Sequence, residues 1–89
     1  MGAEEVKDVL THTAILWLRT QGVSVVEIAS GSGVSRATLY RILKRAEAKD
    51  YRVHRAVKAA ILRYYKHYRN LLAEDKRVRA EINDEERTK

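Results

Sequence analysis

Residues 25–44 read VVEIASGSGVSRATLYRILK, and this stretch decides the fold. Two short helices that cross closely need a small residue where they touch, and Ala29 supplies one. The turn between them needs a residue that tolerates positive φ, and Gly33 stands four positions later. Apolar side chains from both helices must fill the crossing, and Ile28, Val34, Leu39 and Ile42 fall at inward-facing positions. Ser32 occupies one position where an apolar residue is expected, which suggests a looser turn. The Gly31-Ser32-Gly33 run lacks the third glycine of a dinucleotide fingerprint and the Lys-Ser/Thr of a phosphate loop, and it follows a helix where those motifs follow a strand.

Working outward, Ser24 is placed as an N-cap, with Glu27 three residues on, for a helix from Val25 to about Ser30. Ser35 caps a helix from Arg36 to about Ala46, so that residues 35–46 form the second arm of the motif. Upstream, Val6, Leu10, Ala14, Trp17 and Leu18 recur at helical spacing, predicting a first helix from Ala3 to about Thr20 that ends at Gly22. Trp17 is expected to pack under the crossing. Downstream there is no proline and no glycine after residue 33. The repeat Val57, Ile61, Tyr64, Tyr68, Leu71, Val78, Ile82 advances in steps of three and four, broken only by Asp75, which predicts a long helix from about Asp50 to about Ile82. The fold class is therefore all-α: a three-helix unit over residues 1–47, a long amphipathic helix over 48–83, and a charged tail over 84–89 expected to fray.

Composition narrows the function. The chain has 89 residues, no cysteine and a net charge of +6, so disulfides, thiolate metal sites and cysteine nucleophiles are excluded together. His12, His54 and His67 lie far apart, and no metal-ligand spacing occurs; neither a metal nor another cofactor is expected. The acidic N-terminus and a longest apolar run of Ala14 to Leu18 predict a soluble, cytoplasmic protein with no membrane partner. Nor does any acid pair or nucleophile-base set suggest an enzyme. The charge is uneven: residues 35–69 hold eleven Lys or Arg against two acids, while the segments on either side are net acidic. Such a concentration of positive charge beside a helix is the footprint of a polyanion-binding surface.

The run GVSRATLYRILK, with the approach GVSVVEIA before it, resembles the helix-turn-helix DNA-binding domain of resolvases and Hin-type invertases, within the homeodomain-like group. The likeness spans roughly Ala14 to Lys44 and does not extend to a recombinase catalytic domain. It implies double-stranded DNA as partner, with the N-terminal residues of the second motif helix at base edges in the major groove. With Leu39 and Ile42 inward, the outward face carries Arg36, Ala37, Tyr40, Arg41 and Lys44. Arg36 can bond guanine O6 and N7, and Ala37 can meet a thymine methyl. The hydroxyls of Ser35, Thr38 and Tyr40 suit phosphates, with Arg41 and Lys44 adding charge farther along.

The long helix carries an apolar face too extended for so small a bundle to cover, and a second copy is the economical partner. Val57, Ile61, Tyr64, Tyr68 and Leu71 are the expected dimerisation residues. Together these features predict a small homodimeric, sequence-specific transcriptional regulator. The alternative is an architectural DNA-recognition subunit of higher oligomeric order, as in phage DNA packaging or plasmid partition.

Overall fold

A computed structural model describes residues 4–88. The elements run β1 (Glu5–Lys7), α1 (Val9–Thr20), α2 (Val25–Ser32), α3 (Arg36–Glu47), β2 (Arg52–His54) and α4 (Arg55–Thr88). Three short helices followed by a long one give the all-α class expected. The whole measures 63 × 21 × 21 Å, a small body continued by a rod.

The chain's first element is not the helix expected from Ala3; Ala3 itself lies outside the described residues. Glu5–Lys7 instead pairs antiparallel with Arg52–His54, with Val6 opposite Val53. Helix α1 begins only after Asp8, whose carboxylate accepts the Leu10 N–H at 2.8 Å and is met by Lys58 Nζ of α4, also at 2.8 Å. That cap sets where the helix starts. Without Val6 in the helix, the row Val6-Leu10-Ala14 loses its anchor. Thr11, Ala14, Ile15 and Leu18 face inward, and Leu10 is 64% exposed.

Helix α2 also departs from expectation, running two residues past Ser30 to Ser32. Gly31 is thus helical, and only Gly33 makes the turn. Its φ of 76° is the left-handed conformation that glycine alone adopts at no steric cost. Ser32, the polar residue where an apolar one was expected, tightens the turn: its hydroxyl donates to the Ile28 carbonyl at 2.6 Å and accepts the Val34 N–H at 3.3 Å. At Gly31 the reason for glycine is contact. A Cβ there would run into the Tyr64 ring, so the α4 tyrosine sits directly on the α2 backbone.

The core joins all three short helices to the first half of α4. Ile15, Leu18, Ile28, Leu39 and Ile61 have no exposed surface, and each such burial contributes about 1.5–3 kcal/mol. Val57, Tyr64 and Tyr68 pack against the same cluster. The long seam therefore divides. Of the five residues expected to meet a second copy, Ile61 has no surface to offer and Val57, Tyr64 and Tyr68 are largely committed to their own chain, because the three-helix unit is itself concave toward α4. Leu71 alone remains 53% exposed. Trp17 lies between α1 and α4, its ring edge-on to Tyr65 at 5.2 Å and to Tyr68 at 6.0 Å.

Helix α4 starts at Arg55, after β2 takes the residues before it. His54 Nδ1 accepts the Ala56 N–H at 3.1 Å, capping the new helix. At the far end α4 runs on to Thr88, and within its outer half Arg79 and Asp75 pair one turn apart at 3.1 Å. Its 34 residues give a rod about 50 Å long.

Candidate nucleic-acid interface

The surface built by α3 begins with its cap. Ser35 Oγ accepts the Thr38 N–H at 3.2 Å and shares a 2.8 Å hydrogen bond with the Thr38 hydroxyl. Two of the residues expected to meet phosphate are therefore engaged in fixing the start of the helix. Leu39, Ile42 and Ala46 are buried, which clamps the rotation of α3 about its own axis.

That rotation turns one face outward. At 100° per residue, Arg36, Ala37, Tyr40, Arg41 and Lys44 fall within an arc of about 140°. All five are exposed, Tyr40 at 57%. Thr38 sits at the edge of this face, half-buried. Arg36, Arg41 and Lys44 make no ion pair among the described residues. Their charge is left for an outside partner.

The flank of α3 holds a feature that the helical periodicities did not reveal. The β1–β2 ribbon lies beside it, and a cleft of about 100 Å³ is lined by Thr38, Arg41 and Arg45 on one side and Arg52, Val53 and His54 on the other. Here the bases are partly answered from within. Arg45 lies 3.9 Å from Glu5, and Arg52 binds Asp50 through both carboxylate oxygens at 2.9 and 3.0 Å. Those hydrogen bonds hold the Asp50 carboxyl at about 2, below its ordinary value. His54 Nε2 meets Glu4 at 3.0 Å. On α3 itself the bases without an ion pair among the described residues are therefore Arg36, Arg41 and Lys44. Alternation of Arg52, Val53 and His54 across the pleat was the only sequence signal for the ribbon, and three residues are too few to distinguish it from the start of a helix.

Elsewhere the ionisable groups serve the scaffold. Burial alone would push the Asp8 carboxyl up, but the hydrogen bond and charge of Lys58 and the Leu10 N–H outweigh it and hold the carboxyl below its ordinary range. Burial against α2 pushes the Tyr64 hydroxyl up. Among the described residues no group of three or more His, Asp or Glu could hold a metal ion, and no helix is long and apolar enough to cross a membrane.

This geometry, two helices crossing at a left-handed glycine with a clamped and basic second helix, has a counterpart among known families. Residues 11–45 match the helix-turn-helix domain of resolvase. That part of the chain is similar to a DNA-binding helix-turn-helix domain. The match covers α1, α2 and nearly all of α3, and includes no recombinase catalytic domain. Comparison with curated proteins and with solved structures finds no significant match. Within the matched region α2 and α3 are the two helices joined at Gly33. The ribbon and α4 lie outside the matched region.

Proposed function

We propose that the protein is a small homodimeric transcriptional regulator that reads double-stranded DNA through α3. The observation that carries this reading is the unpaired basic face of α3, held at fixed rotation on the helix-turn-helix core. Arg36, at the first turn, bonds guanine O6 and N7 through its planar fork, and Ala37 beside it lets the helix approach a thymine methyl. Tyr40, Arg41 and Lys44 reach phosphates on either side of the groove, with Ser35 and Thr38 at the helix start. The protein acts without catalysis, associated with DNA in the cytoplasm. Two copies related by a two-fold axis present two α3 helices to a palindromic site, and in this reading the contact lies on the far part of α4, at Leu71, Val78 and Ile82, rather than on the buried half of the seam.

Selecting bound fragments from a random DNA pool, then measuring the mass of the complex, tests this. The expected result is a palindromic sequence and a mass of two chains per site. Failure to bind any DNA at low salt overturns the reading. Enrichment without two-fold symmetry, in a complex of many chains, would favour an architectural subunit of the kind used in DNA packaging or partition.

A further inference from the structure

The arrangement of the two chains follows from the far half of α4, and this inference rests on the dimer reading above. Beyond Leu72 the helix leaves the body. Leu71, Val78 and Ile82 are 53%, 42% and 50% exposed and fall within about 40° of one another around the helix. Traced back toward the body, the same side runs over Ala60, Tyr64 and His67 into a recess of about 230 Å³ that they share with Gly31, Ser32 and Arg63. An apolar strip on the rod therefore leads into a recess with a basic rim. Something shaped like a helix fits along it.

Charge along the rod selects which way that helix runs. Arg63, on the rim of the recess, precedes Leu71, whereas Glu81 and Glu86 flank and follow Ile82. Two copies lying in the same direction would set Asp75 against Asp75 within the strip and one acidic tip against the other. Like charges directly opposed destabilise a pairing. Reversing one copy removes both conflicts. Each Ile82 then faces the other copy's Leu71, and Asp75, already bonded to its own Arg79 at 3.1 Å, faces Val78. Glu86 comes opposite His67 at the recess. Glu81 approaches Glu74, but Glu74 is paired to Arg77 in its own chain.

We propose that a second copy of this chain binds the strip antiparallel, on a two-fold axis level with Lys76 and Arg77. The consequence for DNA is geometric. Helix α3 packs beside the ribbon at the start of α4, next to Val53, His54 and Val57. The two readers, related by that axis, then sit about 65 Å apart along the paired rods. Two turns of DNA span about 70 Å. The selected half-sites should accordingly be centred about 20–21 base pairs apart.

The natural chain lacks cysteine, so cross-linking reports cleanly. Full-length Leu71→Cys and Ile82→Cys variants would be treated, separately and mixed, with a bis-maleimide of about 8 Å reach; like positions lie about 16 Å apart along the axis in the antiparallel pair. A cross-linked dimer only in the mixture is expected. Cross-linking of each variant alone would mean parallel chains and would overturn the arrangement while leaving the dimer. A parent protein that sediments as a dimer but cross-links in neither experiment would place the interface elsewhere and overturn it too. Sedimentation as a monomer at concentrations that saturate the selected site would overturn the dimer reading itself. Half-sites one turn apart would also reject the antiparallel geometry.

Discussion

The first half of α4 and its far half carry the same three-four repeat, yet the first is embedded in the body and the second is bare. Ile61 has no exposed surface, while Leu71 and Ile82, on the same repeat, keep half of theirs. The difference lies in what faces them. Helices α1 and α2 present an apolar surface to residues near Ile61, whereas among the described residues every α4 position from Ala73 to Arg87 is exposed. A heptad-like pattern thus shows that a helix face is covered without telling whether the cover is its own chain or another. A single dimer seam running along both halves fails at the first.

Truncation at corresponding positions gives the largest contrast. Ile61→Ala should cost about 2–5 kcal/mol of folding stability, by lost burial and a cavity at the junction of four helices. Leu71→Ala should change the stability of the monomer by no more than about 0.5 kcal/mol. Urea denaturation at protein concentrations too low for association measures both. Equal losses would mean that the rod folds back onto the body. A smaller effect is expected where the two halves are bolted together: Gly31→Ala should destabilise by about 1–3 kcal/mol, because its Cβ would collide with the Tyr64 ring. Adding Tyr64→Ala should make the glycine substitution nearly neutral in a double-mutant cycle. If the penalty persists in that background, the Gly31–Tyr64 contact is not its cause.

The same comparison separates reading from charge. Arg36→Ala should weaken binding to the selected site by about 1–3 kcal/mol and flatten preference at one base pair per half-site. Arg77→Ala, on the rod and engaged with Glu74, should leave preference at every base pair intact. Competition titrations with specific and random DNA distinguish these outcomes. Equal losses on both DNAs for Arg36→Ala would reduce it to a phosphate contact.

Much of the body was legible because its constraints are local. Ala29, Gly33 and the caps Ser24 and Ser35 act within a few residues, and the turn, both motif helices and the inward set Ile28, Val34, Leu39 and Ile42 follow from them. The ribbon was not legible, since Val6 and Val53 are nearly fifty positions apart and each occupies a three-residue strand whose apolar residue also suits a helix. Gly31 reads in sequence as part of the turn for a similar reason: its neighbour Tyr64 lies on another element. The face of α3 came through as an exposed set, but the pairing of Arg45 and Arg52 with acids, which leaves Arg36, Arg41 and Lys44 as the unpaired bases, depends on where the ribbon lies.

Asp8 ties these regions together across the sequence, and its ionisation offers a milder way to probe the body. Asp8→Asn keeps a capping side chain but removes the charge that Lys58 meets, and should cost about 1 kcal/mol at pH 7. The folded carboxyl titrates below its unfolded value of 3.8, so its contribution is present above about pH 4 and is lost as the pH falls through the lower, folded value. The stability gap between parent and variant should therefore close on acidification below pH 4. A gap that stays constant from pH 7 to pH 3 in urea titrations would assign the loss to cap geometry rather than to charge.

The smallest expected effect runs in the opposite direction, at the turn that delivers β2 and α4 to the body. Lys49 has a φ of 59°, and its N–H and that of Asp50 close the end of α3 on the Ala46 and Arg45 carbonyls, both at 2.9 Å. That pair of bonds is a Schellman motif, in which the left-handed position ordinarily belongs to glycine. A residue with a Cβ is strained there by about 1–2 kcal/mol, whereas glycine fits but loses more backbone freedom on folding. Relief of the strain outweighs that entropy loss. Lys49→Gly should stabilise the body by about 0.5–1 kcal/mol, while Lys49→Ala, which keeps the Cβ, should give no such gain. The rod holds no left-handed residue among those described, so an equivalent exposed substitution there, Arg77→Gly, should destabilise α4 locally by about 1 kcal/mol. Urea midpoints for the Lys49 variants and amide exchange along α4 for Arg77→Gly measure the pair. Glycine acting in the same direction at both positions would mean that the turn after α3 is not closed in this way.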